Sequence, residues 1–198
     1  LNDEFIFDFD GVICDSAFEC FLVTFLVENK MAPSDFSADL VSDLAKSELW
    51  KRFEKVRPLG NNGGDFVFIF QILNNKKNDQ PDEVLVKSLL KSSNNSSETN
   101  NSLFYSMRKE IKSYDFQLWL ALHKMYKTSV SFLNFLILKT DKPINIVTTK
   151  DSRSALDLLA FNSFSTKRFT VLGREEKKSK RQILIQLKRK YKNKSLHF

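Results

Sequence analysis

Hydrophobic positions along the chain follow one spacing up to about residue 140 and another beyond it. Residues 4–9 read Glu-Phe-Ile-Phe-Asp-Phe, a short aromatic and apolar run that predicts a buried strand. Asp15-Ser16 is a capping pair ahead of the apolar stretch 17–27, which predicts a helix. A second helix is expected over 38–56, with Leu40, Leu44, Leu49, Phe53 and Val56 on its inner side. Residues 57–65 form a Pro/Gly/Asn loop, and periodicity does not decide whether 66–73 is strand or helix. Another helix is expected at 81–91, then a low-complexity Ser/Asn tract at 91–102 that reads as a mobile loop. Residues 114–139 read as a long helical hairpin.

Near Lys142 the period changes. Residues 144–148 read Ile-Asn-Ile-Val-Thr, a strand ending in a hydroxyl residue, and a helix follows over 152–162. A third strand is expected at 169–173, a helix at 180–192, and the opening of a fourth strand at 196–198. Strands alternating with helices predict an α/β fold, a Rossmann-like parallel sheet covered on both faces. Ligands of such sheets bind at the carboxyl ends of the strands. Asp8, Thr148 and the loop 173–180 all fall there.

Composition adds little to this picture, and charge adds one feature. The 198 residues, 42% hydrophobic and 28% charged, suit one globular domain or a small core with an insert. The net charge of +7 is local: ten of the 31 basic residues and two of the 24 acidic ones lie between Arg174 and Lys194. Ile183, Leu184, Leu187 and Tyr191 recur there at helical spacing, so the segment reads as an amphipathic helix with a solvated basic face. No aromatic stacking platform accompanies it, and no nucleic-acid partner is expected. Cys14 and Cys20 lack both a disulfide framework and zinc-ligand spacing, which fits a reducing, cytoplasmic setting. No apolar run approaches the ~18 residues of a membrane span, and no signal peptide is read.

Asp8 and Asp10, one residue apart at the end of a buried strand and just before Gly11, carry the candidate chemistry. One carboxylate can attack an electrophile while its neighbour shuttles a proton. Two carboxylates this close repel, so a divalent cation is an expected companion. A solvated turn is the bland alternative. A calcium loop is excluded because its glycine belongs at the sixth position and Gly11 is the fourth. The segment from Gly60 to Gly64 lacks the Lys-Ser/Thr of a P-loop and reads as a loop. His123 reads as a packed histidine rather than a ligand, and nothing near Cys14 would activate it. Arg57 reads either as a surface arginine or as a contact for an anionic substrate group.

The twelve residues Phe5-Ile-Phe-Asp-Phe-Asp-Gly-Val-Ile-Cys-Asp-Ser16 resemble the first motif of the haloacid dehalogenase superfamily. Ile146-Val-Thr-Thr-Lys150 is similar to the second, with Thr148 as its hydroxyl residue. Gly173-Arg-Glu-Glu-Lys-Lys-Ser-Lys180 is similar to the third, with Lys180 favoured over Lys178. The resemblance implies a core from residues 1–16 and 139–198 and an inserted helical cap at 17–138. Stretches of that insert around Arg57-Pro58 and residues 120–126 look like those of cyanobacterial and plant members.

It further implies a magnesium-dependent phosphohydrolase for a small phosphorylated metabolite. Asp8 would be the nucleophile and Asp10 the acid and base. Mg2+ would sit on the Asp8 carboxylate and the Asp10 main-chain carbonyl, while Thr148 and Lys180 would bind the phosphoryl group. Gly11, Thr149 and Arg57 are the candidate substrate contacts. The second aspartate favours phosphoryl transfer over dehalogenation, with phosphomutase as a near relative. Members also carry a fourth, acidic motif after the Lys180 helix. Residues 196–198 look like the opening of its strand, so the sequence reads as stopping short of it. A catalytically impaired remnant or binding module of the same fold is the other class kept open.

Overall fold

A computed structural model describes residues 3–75, 81–92, 98–192 and 194–198. In chain order the elements are β1 (Glu4–Phe7), β2 (Cys14–Asp15), α1 (Ala17–Glu28), α2 (Ala38–Lys46), α3 (Glu48–Val56), α4 (Gly63–Asn74), α5 (Asp82–Ser92), α6 (Glu98–Tyr114) and α7 (Phe116–Ala121). They continue with β3 (Lys124–Met125), α8 (Lys127–Lys139), β4 (Ile144–Val147), α9 (Ser152–Phe161), β5 (Phe169–Leu172), α10 (Lys180–Lys190) and β6 (Leu196–His197). The chain divides into two compact units, Leu1–Ser16 with His123–Phe198, and Ala17–Leu122.

The first unit is α/β. Its sheet has the order β5-β4-β1-β6 with every neighbouring pair parallel. The strand runs read from the sequence at residues 5–9, 144–148 and 169–173 thus supply three neighbouring strands of one sheet. Register fixes the two faces, because side chains alternate along each strand. Ile6 and Val147 turn to one face and pack with Ile183 and Leu187 of α10, flanked by Leu172, Leu184, Tyr191 and Leu196. This is the amphipathic pattern of α10 at work, its apolar stripe on the sheet and its basic residues in solvent. Phe5 and Phe7 turn to the opposite face and meet the Phe132 ring of α8, with centroids 5.7 and 5.9 Å away. Phe164 packs edge-on against Phe169 on that same face. At the amino end, the buried Glu4 carboxylate is paired with Lys194 and lies 3.7 Å from Lys142.

The second unit is helical. Phe21 of α1 is its hub, with ring centroids 5.4 Å from both Trp50 and Phe53 and 5.9 Å from Phe70. Arg52 forms a two-pronged bond to Asp82 at 2.8 and 3.0 Å, tying α3 to α5 and holding the guanidinium pKa above its ordinary value through that hydrogen bond. In the interior, Arg108 Nε and Nη2 donate to the two Glu19 oxygens at 2.6 Å each. Trp119 Nε1 lies 3.4 Å from the same carboxylate.

Several elements differ from the sequence reading. The helix expected over 38–56 is broken at Ser47. This one residue closes α2, donating through Oγ to Leu44 O at 2.8 Å, and opens α3, accepting from Trp50 N at 3.1 Å. Residues 66–73 are helical, because Asn62 caps α4 through the Gly64 and Asp65 amides and, among the described residues, no strand pairs with them. The hairpin expected over 114–139 is instead α7, the short β3 and α8, since residues 124–125 pair antiparallel with Cys14 and Asp15. Of the Ser/Asn tract, 93–97 lie outside the described residues and 98–102 begin α6. The division between units falls at Leu122/His123 rather than at 138/139, because β3 pairs with β2 and Phe132 of α8 packs on β1. Among the described residues, no helix is long and apolar enough to cross a membrane.

Candidate active site at the carboxyl edge of the sheet

Parallel register brings distant residues to one edge. Phe7 of β1 pairs with Ile146 of β4, and Val147 pairs with Leu172 of β5. Asp8 and Thr148 are therefore each one step or less beyond a strand end, with Gly173 following β5. Thr148 N–H donates to Leu172 O at 3.1 Å, which continues the ladder to that edge.

Asp8 is held on both carboxylate oxygens. Oδ1 accepts the Phe9 amide at 2.7 Å, and Oδ2 is paired with Lys180 Nζ. Lys180 is the first residue of α10, whose amino end is fixed by a capping box between Ser179 and Gln182. Lys178 is exposed and reaches Gln186 at 3.4 Å, so Lys180 is the lysine that meets Asp8.

The chain turns tightly after Asp8. The Phe9 carbonyl accepts the amides of Val12, Ile13 and Cys14, and the Gly11 amide donates to Cys14 O at 2.8 Å. Gly11 has φ +81°, and a side chain there would meet nothing within 4 Å, so the requirement for glycine is conformational. This turn presents Asp10, whose Oδ1 accepts Ser16 Oγ at 2.7 Å and lies 3.4 Å from Lys150 Nζ.

Thr148 is buried, and its Oγ1 accepts the Lys150 amide at 3.1 Å, leaving the hydroxyl proton as a donor. Thr149 is exposed at the same strand end. Asp151 caps α9 through Ser154 N at 2.8 Å, and Glu175 accepts the Ser152 amide at 2.8 Å. Gly173 is demanded by close approach: a Cβ there would lie 2.6 Å from Ser152 N and 2.8 Å from Lys150 O.

Asp8, Asp10, Thr148 and Lys180 from the sequence reading thus share one sheet edge, with Gly11 and Thr149 on its turns. Arg57 lies in the other unit, where its guanidinium sits 4.9 Å from the Phe66 ring centroid and reaches Cys20 Sγ at 3.9 Å. His123 is buried, next to the start of β3. Lys150 and Ser16, which contact Asp10, were not among the residues singled out from the sequence. Ser16 reads as a helix cap, and a lysine is ordinarily exposed, so nothing in the residue type sets Lys150 against Asp10. Only its place directly after a buried strand end hinted otherwise.

Magnesium takes one or two carboxylates and keeps several waters. Among the described residues, no group of three His, Cys, Asp or Glu side chains is arranged to hold a metal ion. The Asp8 carboxylate and the Asp10 main-chain carbonyl are hard oxygen donors on one turn, and this small set fits a mostly hydrated Mg2+.

No family model matches the chain, and no curated protein or solved structure matches it.

Proposed function

We propose that this protein is a phosphohydrolase of haloacid-dehalogenase type, acting on a small phosphorylated metabolite through an aspartyl phosphate on Asp8. The observation that carries the reading is the Asp8–Lys180 ion pair, which joins the end of β1 to the start of α10 in the order and context that the resemblance implies. The helical unit Ala17–Leu122, inserted after the Asp8 segment, would serve as the cap that selects the substrate. Two buried cysteines fit a reducing, cytoplasmic setting.

In the first step an Asp8 oxygen attacks phosphorus and the bond to the leaving oxygen breaks. Asp10 gives that oxygen a proton, so the leaving group departs as an alcohol. In the second step water attacks the phosphorus of the aspartyl phosphate, Asp10 takes the proton, and Asp8 is released with inorganic phosphate. The Lys180 ammonium stabilises negative charge gathered on Asp8 and the phosphoryl oxygens, and the Thr148 hydroxyl donates to one of those oxygens. Mg2+ on the Asp8 carboxylate and the Asp10 carbonyl would supply further screening between nucleophile and phosphate when bound.

The test is hydrolysis of 4-nitrophenyl phosphate by the full-length protein with magnesium, and rapid-quench trapping of hydroxylamine-labile phosphate on the chain. Asp8→Asn should bring both to background, because an amide cannot act as the nucleophile. Asp10→Ala should lower turnover by about 10²–10⁴-fold. Turnover undiminished in Asp8→Asn overturns the assignment.

A further inference from the structure

We infer that Lys150 is a positioning residue that orients Asp10 for proton transfer, an inference that rests on the phosphohydrolase reading above. A lysine side chain is rarely buried without a charged partner, because desolvating an ammonium is costly. Lys150 is 2% exposed, and its Nζ lies 3.4 Å from Asp10 Oδ1. Its backbone is fixed on both sides. Its amide donates to Thr148 Oγ1 at 3.1 Å, and its carbonyl accepts the Arg174 amide at 3.1 Å. The ammonium therefore approaches Asp10 from a rigid strand end rather than from a mobile surface stem.

Two contacts to the Asp10 carboxyl fall on the same oxygen. Ser16 Oγ donates to Oδ1 at 2.7 Å from one element, and Lys150 approaches Oδ1 from another. The Ser16 hydrogen bond and the Lys150 ammonium charge, coming from separate strand ends, restrict the rotation of the carboxyl group about its Cβ–Cγ bond. Losing either contact lets the carboxyl rotate and reduces the fraction of encounters with correct proton geometry. A purely structural lysine would instead affect folding, and would slow every substrate alike.

The leaving group separates the two roles. Nitrophenolate departs without a proton, whereas phenolate is a stronger base and needs one. Release of nitrophenolate therefore requires Asp8 but little help from Asp10, while phenyl phosphate cleavage and the hydrolysis of aspartyl phosphate both require Asp10. The experiment compares full-length wild type, Lys150→Met and Asp8→Asn with both phosphates and magnesium. Stopped-flow traces give the nitrophenolate burst, and steady-state assays give turnover.

Lys150→Met should keep the burst, whose amplitude counts folded sites, with a burst rate within about 10-fold of wild type. It should lose about 10²-fold or more in turnover of phenyl phosphate, and accumulate phosphoenzyme. Loss of equal size in the burst rate and in phenyl phosphate turnover, per folded site, overturns the inference while leaving the Asp8 assignment intact. Activity retained by Asp8→Asn removes the phosphohydrolase reading and this inference with it. If circular dichroism shows Lys150→Met unfolded, the same comparison is made with Lys150→Gln, which keeps a donor without the charge. The same split between the two phosphates is expected there, and a uniform loss overturns the inference.

Discussion

Replacing Arg108 with methionine should be among the most destabilising single changes in the helical unit. The guanidinium gives Nε and Nη2 to the two oxygens of Glu19, each at 2.6 Å, and the side chains are 8% and 0% exposed. Burial by itself pulls the Arg108 pKa down. The charge of Glu19 and the hydrogen bond to it outweigh that effect and hold the group above its ordinary value. The variant leaves Glu19 buried with Trp119 Nε1 at 3.4 Å, a long neutral contact that does not replace a charge. Removing one partner of a buried pair costs about 3–5 kcal/mol, a large part of the ~5–15 kcal/mol that holds a domain folded. With a urea dependence of about 2 kcal/mol per molar, the midpoint should fall by about 2 M.

The assay is urea unfolding followed by tryptophan fluorescence, since Trp50 and Trp119 both lie in Ala17–Leu122 and report that unit. Glu19→Met combined with Arg108→Met should recover most of the loss, ending about 1–3 kcal/mol below wild type because Trp119 Nε1 then lacks its acceptor. A cost below about 1 kcal/mol for Arg108→Met alone is the value of an exposed pair, and would refute the buried-pair reasoning.

Three further outcomes are expected. Gly173→Ala brings a methyl group within 2.8 Å of the backbone of Ser152 and Lys150, so thermal melts should show a loss of about 1–3 kcal/mol. Ser47→Ala removes the hydroxyl that serves both α2 and α3, and should cost about 0.5–2 kcal/mol, with lower helicity by circular dichroism. The hydrogen bond to Glu4 holds the Lys194 pKa above its ordinary value. Its stabilisation is therefore complete below the unfolded-state pKa and lost as pH rises through the higher folded one. Stability measured above about pH 10 should fall less steeply in Lys194→Met than in wild type.

The sequence alone located the strands of the parallel sheet and most of the helices around them, because a short apolar run between turn residues has few alternatives to a buried strand. It also placed Asp8, Thr148 and Lys180 at strand or helix ends, and parallel topology then requires those ends to share one edge. Helix 180–190 was legible from its apolar spacing for the same local reason. Other features depend on contacts between residues far apart in sequence. An unbroken apolar spacing hid the break at Ser47, because capping by one hydroxyl in two directions leaves no period. Residues 66–73 are apolar nearly throughout, so only the Asn62 cap and the absence of a pairing strand made them helical. The division at Leu122/His123 was decided by Cys14 and Asp15 pairing with Met125 and Lys124, a match that exists only after the chain has returned to the first unit. Lys150 is the sharpest case: a lysine beside a strand looks solvated in sequence, and only the fold surrounds it and sets Asp10 against it.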